Sequence, residues 1–205
     1  MTPLRFYLAR TMRNEPAMMT LSAPQDGLLD ALADRDVALV GNARALAEGT
    51  LGERIDAADV VIRINRAPMP APEIHGTRTD WLGLATSLPA ADRARLSPGR
   101  ILWMSPKRKR LDWETAHSPG FYLHPLPDHQ ALKDALGAEP STGAMLIDLL
   151  LRSHLARLTL YGFDFFASQS LSGSRSAEQV PHDFAAEAEW VNTLAAADPR
   201  LHRTA

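Results

Sequence analysis

From residue 26 onward the chain alternates short aliphatic or β-branched runs with stretches whose apolar residues recur at helical spacing. DVALVGN (36–42) is apolar on both faces and ends in glycine, the signature of a buried strand, and ARALAEG (43–49) follows as a short helix. DVVIRIN (59–65), TDWLGLAT (79–86) and GRILWMSP (99–106) predict a second, third and fourth strand. RAPMPAPEIHG (66–76) carries three prolines and reads as loop. FYLHPLP (121–127) predicts a short strand confined to a sheet edge, because its prolines lack the N–H that a central ladder needs. A helix near 128–137, a long apolar helix after PSTG (140–143), the strand LTLYGFD (158–164) and a helix over about 184–196 complete the pattern.

Strands apolar on both faces, alternating with helices, predict an α/β fold: a single Rossmann-like domain with a mostly parallel twisted sheet and helices on both faces. We divide the chain into an N-terminal extension over 1–25 and a domain over 26–205. In such sheets ligands sit beyond the carboxyl ends of the strands. Those ends are Gly41-Asn42, Ile64-Asn65, Ala85-Thr86 and Gly162-Phe163-Asp164. ASQSLSGSRSAEQVP (167–181), polar and rich in serine, fits either a lid over such a site or a plain long connection.

Composition narrows this picture without redirecting it. At 205 residues, 45% hydrophobic and 22% charged, the chain can bury a sizeable core and is neither disordered nor coiled coil. A formal net charge of −2 gives no general reason to expect nucleic acid as a partner. The absence of cysteine excludes disulfides and thiolate metal sites and suits a reducing compartment. Apolar stretches fall short of the ~20 residues of a bilayer span, and Arg5, Arg10 and Arg13 interrupt any signal-peptide core. A soluble, cytoplasmic protein is expected.

Several stretches carry candidate chemistry, each beside a plainer reading. Gly41-Asn42 sits between a strand and a helix, where a glycine admits close backbone approach and helix N–H groups meet an anion; it also suits an ordinary tight turn. It is neither a dinucleotide fingerprint nor a Walker loop, since Ala43 and Leu46 stand where glycines belong and no Gly-Lys follows. Arg63 and Asn65 are polar at the end of an otherwise apolar strand, fitting either a ligand or turn backbone. In PSTG, Ser141 or Thr142 caps the helix, but Gly143 in the first turn costs ~1 kcal/mol against alanine. A ligand lying against the backbone explains the missing Cβ. His182 precedes an Asp183 N-cap, a loop position that suits either a functional or an exposed histidine. Asp148 and Arg152 form a surface i,i+4 pair. His117, His124 and His129 lack zinc-site spacing, and Asp34-Arg35-Asp36 lies at the wrong end of the first strand for the site. PKRKR (106–110) reads as a solvated run or as a contact with a phosphate-rich acceptor or a membrane surface.

In their order these segments resemble glycosyltransferase family 29, the eukaryotic-type sialyltransferases, whose bacterial members lack a Golgi anchor. Residues 36–68 are similar to the family's large motif, with Gly41-Asn42, Ile55-Asp56 and Asn65-x-Ala67-Pro68. Residues 140–164 are similar to its small motif, from Pro-Ser-Thr-Gly to Tyr161-Gly162-Phe163. His182 and Glu187 match its very small motif, and the matched segments cover roughly a third of the chain. Two departures stand out. Val37 occupies the position of a disulfide cysteine, and SQSLSGSRSAEQ (168–179) has no aromatic where the family carries an aromatic, histidine-bearing motif.

The resemblance implies a soluble bacterial enzyme of the sialyltransferase-type glycosyltransferase A fold variant. Its donor would be a CMP-activated nonulosonic sugar, its transfer inverting, with no metal or other cofactor. A nucleoside monophosphate leaving group is one that helix N-termini and asparagines can stabilise unaided. Gly41, Asn42, Ala43 and Asn65 would approach CMP from one side, with Ser141, Thr142, Gly143, Gly162 and Phe163 on the other. His182 would be the general base and Glu187 its support. The partners implied are the CMP-sugar and a glycan or glycolipid acceptor, with no nucleic acid, no transmembrane segment and peripheral membrane contact through Lys107–Arg110. The missing aromatic motif leaves room for two alternatives, a CMP-Kdo transferase and a CMP-binding protein that has lost transfer.

Overall fold

The computed structural model describes residues 1–43, 46, 49–164 and 182–204. Its strands are β1 (Asp36–Val40), β2 (Val60–Ile64), β3 (Trp81–Leu84), β4 (Arg100–Trp103), β5 (Tyr122–Leu123), β6 (Arg157–Tyr161) and β7 (Leu201–Arg203). They form one sheet in the order β5-β4-β3-β2-β1-β6-β7, and every neighbouring pair is parallel. The chain lays down β1 to β5 in one direction and then returns to the other side of β1 for β6 and β7. The carboxyl ends of β1 and β6 therefore flank the reversal, where doubly wound sheets open a crevice for ligands.

Alternation along the strands divides the core into two layers. On one face Val37, Leu39, Ile62, Ile64, Leu102, Tyr122, Leu158 and Leu160 pack with α3 (Gln25–Asp30), α8 (Leu126–Leu136), α9 (Thr142–Leu151) and α10 (Phe184–Ala197). α9 is apolar nearly all round and buries eight of its ten residues, as a central helix must. It comes so close to β3 that a Cβ on Gly83 would sit 2.6 Å from Leu146.

The opposite face has two patches. Ala38, Val40, Val61 and Tyr161 meet Ile55 of α4 (Gly52–Asp56). Leu82, Leu84, Ile101, Trp103 and Leu123 meet α1 (Pro3–Thr11), α2 (Glu15–Met19), α6 (Ala90–Leu96) and α7 (Trp113–Ala116). Residues 1–25 contribute to this second patch: Phe6 and Met18 are fully buried there, and each contributes about 1.5–3 kcal/mol by leaving water. Thr2 and Asn14 cap α1 and α2.

The predicted strands are all present. The edge strand of 121–127 shortens to Tyr122–Leu123, because Leu126 and Pro127 already belong to α8. α1, α2, α4, α6 and α7 lie outside the predicted elements, and other differences follow. RAPMPAPEIHG is not wholly loop, because Pro72 starts the one-turn helix α5 (Pro72–His75) at the position where proline's missing N–H costs nothing. β7 escapes notice because Leu-His-Arg has one buried residue and two exposed ones. PKRKR is not uniformly solvated. Arg108 is buried and donates Nε to Glu15 Oε1 (3.0 Å) and Oε2 (3.2 Å), Nη1 to Ser105 O (2.7 Å) and Nη2 to His124 O (2.6 Å). This bond set holds α2 to the loop after β4. Of the predicted helix over 43–49, residues 44, 45, 47 and 48 lie outside the described residues, as does the whole of 167–181.

Candidate active site at the sheet reversal

Two glycines bring the ends of β1 and β6 together. Gly41 N–H donates to Tyr161 O (2.8 Å) and Ala43 N–H to Gly162 O (3.2 Å). A Cβ on Gly41 would stand 2.3 Å from Gly162 O, and Gly162 itself has φ +66°. Gly41 is required by backbone packed on backbone and Gly162 by its left-handed conformation.

Phe163 gives Gly143 a reason within the protein itself. A Cβ there would lie 2.7 Å from Phe163 Cε1, and one on Gly41 would lie 3.1 Å from Phe163 Cδ2. This ring spans the end of β1 and the first turn of α9 and occupies the space that a side chain at Gly143 would need. Packing of the protein on itself therefore accounts for a missing Cβ there without a ligand.

The two asparagines staple neighbouring strand ends. Asn42 Nδ2 donates to Ile64 O (3.0 Å), and Asn65 Oδ1 accepts from Ala85 N (3.0 Å). Asn65 adopts φ +55°, a left-handed conformation that asparagine tolerates. Each amide thus spends one atom on structure. Among the described residues Asn42 Oδ1 and Asn65 Nδ2 have no partner, and both side chains are half-exposed. Arg63, by contrast, does not join this site. It points to the opposite layer, buried, and donates Nε to Arg78 O and Nη2 to His75 O, both at 2.7 Å. Burial pushes its pKa down to about 10 against the pull of Asp56. Asp56 is structural too, accepting from Thr77 N (2.8 Å), Thr77 Oγ1 (2.9 Å) and Arg78 N (3.1 Å).

Across the reversal, the N-terminus of α9 is held by α10. Ser141 is the N-cap, its Oγ accepting from Ala144 N (3.1 Å) and donating to Glu187 Oε2 (2.7 Å), while its N–H donates to Glu187 Oε1 (2.6 Å). Glu187 is only 3% exposed. Burial pushes its pKa up, opposed by the two Ser141 hydrogen bonds and by the charge of His182. With Ala144 and Met145 N–H satisfied by Ser141, the N–H groups of Thr142 and Gly143 are the unmatched donors that every helix start leaves. Among the described residues neither has a partner, and donors of this kind are the ones that meet an anion at a helix start.

His182 is tied to the same loop. Its Nδ1 lies 2.8 Å from Glu139 O, and its ring meets Phe184 edge-on at 5.7 Å. A carbonyl only accepts, so Nδ1 carries the hydrogen and Nε2 of the neutral ring keeps its lone pair. Glu139 is in turn anchored through its side chain by Lys133 and by His129 (3.3 Å). The spacing of His182 and Glu187 now has a physical meaning. Asp183 caps α10 by accepting from Ala186 N (2.9 Å); His182 stands just before that cap and Glu187 one turn inside, so the two reach residues 139 and 141 of one loop. The carbonyl of Glu139 was not legible in advance, because a backbone oxygen has no residue type. Only Pro140, which restricts the residue before it, marks the spot.

The structure thus gathers Gly41, Asn42, Ala43, Asn65, Ser141, Thr142, Gly143, Gly162, Phe163, His182 and Glu187 around the carboxyl end of the reversal. Ser141 and Glu187 serve each other there. Among the described residues no three histidine, aspartate or glutamate side chains converge as metal ligands, and no helix is long and apolar enough to cross a membrane.

The sequence profile of Glycosyltransferase family 29 (sialyltransferase) matches residues 8–113, a stretch that includes 36–68 and stops short of 140–164 and of His182. No curated protein sequence matches the chain. Among solved structures, a mammalian sialyltransferase in complex with Gal-beta-1-3GalNAc-ortho-nitrophenol superposes with a TM-score of 0.61 at 20% identity, over 83% of this chain and 69% of that one. The sialyltransferase CstII from Campylobacter jejuni, in complex with the substrate analogue CMP-3FNeuAc, superposes with a TM-score of 0.54 at 13% identity, over 82% of this chain and 80% of that one. At these identities the likeness is one of fold.

Proposed function

The chain belongs to glycosyltransferase family 29, the sialyltransferases, and from that premise we propose that it moves a sialic acid or related nonulosonic sugar from a CMP-sugar to a glycan hydroxyl, with inversion and without a metal ion. The observation that carries this reading is the tether of His182 Nδ1 to Glu139 O, on the loop that leads into α9, which leaves the Nε2 lone pair to serve as base. Nε2 takes the proton of the acceptor hydroxyl while its oxygen bonds to the anomeric carbon. The bond from that carbon to the CMP phosphate breaks, and its electron pair leaves on phosphate oxygen. Thr142 and Gly143 N–H and the positive end of α9 stabilise the departing charge. Asn42 Oδ1 and Asn65 Nδ2 offer one acceptor and one donor to the nucleoside. Glu187 acts as a positioning residue, fixing Ser141 and hence the helix end that faces the phosphate. The CstII complex with a CMP-sugar analogue supports this choice of donor class.

The test pairs binding with turnover. CMP should raise the melting temperature of both wild type and His182→Ala, by an amount that grows as its concentration passes Kd. Only wild type should transfer sugar. Undiminished transfer by His182→Ala removes the histidine from the reaction. Parallel assays with CMP-sialic acid and CMP-Kdo decide the donor. CMP binding without transfer or donor hydrolysis on a broad acceptor panel would make the protein a CMP-binding relative rather than an enzyme.

A further inference from the structure

The exposed large hydrophobic side chains gather in one place. Among the described residues they are Met1, Leu4, Tyr7, Leu8 and Met12, on α1 and its flanks, and Leu126 at the start of α8. Leu4, Leu8 and Met12 are 80%, 58% and 70% exposed. They recur at i, i+4 and i+8, which makes one stripe along the helix. The other side of the same helix buries Phe6 and Ala9 in the core. α1 is therefore apolar on two faces and covered by the chain on one.

Cations border the stripe. A cleft of about 580 Å³ between α1 and the loop after β4 is lined by Arg10, Arg13, Lys107, Arg108 and Lys109 against a single acid, Glu15. Glu15 is spent on Arg108, whereas Arg13, Lys107 and Lys109 are exposed, as is Arg5 on α1. Leu126 lines the same cleft. In a chain of net charge −2 this concentration is local.

We propose that this face docks on an anionic lipid surface, with Leu4, Leu8 and Met12 inserted at the headgroup boundary and Arg5, Arg13, Lys107 and Lys109 meeting lipid phosphates. Both halves of the pattern are needed for that partner. A dissolved polyanion would use the cations and leave the leucines in water. A second copy would meet this patch with the same patch across a two-fold axis, setting cation against cation. The loop of residues 106–109 leaves the carboxyl end of β4, the edge of the sheet on which the reversal also opens. Docking therefore brings the candidate active site's edge toward the bilayer, where a glycolipid acceptor would stand. That last consequence rests on the proposed transfer, and the docking does not.

Co-sedimentation of the full chain with phosphatidylcholine vesicles, with and without phosphatidylglycerol as a third of the lipid, tests it. The chain should pellet with the mixed vesicles only, and less as added salt shortens the screening length. Lys107→Gln combined with Lys109→Gln should weaken binding about 30-fold, about fivefold per cation. Leu4→Ser combined with Leu8→Ser should abolish it, with unchanged melting temperature and unchanged stabilisation by CMP, so that loss of docking is read apart from loss of the site. Equal binding to both vesicles, binding to neither, or indifference to both double variants overturns the proposal. So does a wild-type dimer that Leu4→Ser with Leu8→Ser splits in the absence of vesicle binding, since the stripe would then belong to a second copy.

Discussion

The carboxyl edge of the sheet has two ends, assembled from the same kind of contact and opposite in what they leave over. Near β4 and β5, all three guanidinium nitrogens of Arg108 are engaged, tying Glu15 to the carbonyls of Ser105 and His124. Near β1 and β6, Glu187 is spent on Ser141, but among the described residues the other bracing groups keep something in reserve: an oxygen of Asn42, a nitrogen of Asn65, two N–H groups of α9, the lone pair of His182. One end is saturated and holds residues 1–25 in place. The other is held just firmly enough to present unfilled valences in fixed positions. A binding site is read here from incomplete hydrogen bonding on a rigid frame, more than from any one residue type.

Substitutions should separate the two ends. The largest effect on turnover is expected from His182→Ala, a loss of about 10²–10⁴-fold in kcat with the melting temperature unchanged. A matching fall in stability would show that the Glu139 tether is structural only. At the saturated end, Arg108→Met should cost about 3 kcal/mol, since it strands Glu15 and takes the donor from two carbonyls. For a chain of this size that is a drop of about 6–12 °C in Tm, with kcat of the folded enzyme retained. A Tm that stays put would mean that residues 1–25 do not depend on the Arg108 cluster.

The pH response tests the saturated end's exception. Among the described residues neither ring nitrogen of the buried His124 has a partner, and burial pushes its pKa down to about 4. The unfolded chain, with an ordinary value of 6.5, binds the extra proton between those limits. Stability should therefore be full above pH 6.5 and decline by about 3 kcal/mol as pH falls toward 4. His124→Leu should flatten that decline in denaturant titrations; an unchanged slope would assign it to other groups.

Glu187→Gln should cost about 2 kcal/mol, because one amide end turns a donor toward Ser141, and should lower transfer more than CMP binding. It should also remove a slope of the opposite sign. Burial raises the Glu187 pKa, so the folded chain keeps a proton above pH 4.5 that the unfolded chain has lost, and stability falls as pH rises through the raised value. The smallest effect is expected from Gly143→Ala, about 1–2 kcal/mol of overpacking against Phe163, largely relieved by Phe163→Leu in the double variant. If CMP binding were lost with no change in Tm, the ligand rather than the ring would be what demands the glycine.

The strands were legible because Val37–Val40 is apolar on both faces and Val61–Ile64 and Leu158–Tyr161 nearly so, broken only by Arg63 and Thr159, and a sheet covered on both sides needs that. The reversal at β1 was legible only as a set of strand ends, since pairing order is not written in any one segment. Gly143 pointed to a close contact, but the partner twenty residues onward needed the fold to be seen. Glu187 was legible as a support for His182 only through the family resemblance, and its actual partner, Ser141, appears once α9 is placed beside α10. α1 escaped for the opposite reason. With Leu4 and Leu8 outward and Phe6 and Ala9 inward, its apolar residues mark no single face.

The tether of His182 has a consequence for how such a site withstands mutation. The group that orients the imidazole is a main-chain oxygen, and every amino acid at position 139 supplies one. Codons there can drift, and the Lys133 and His129 contacts can lapse, while the acceptor itself is inherited unchanged. What heredity must keep is the direction of that oxygen, and this falls to Pro140, buried in the next position, which keeps its predecessor out of the helical region. The alignment of the proposed base thus depends on the backbone restriction of a proline one position past the oxygen that holds it.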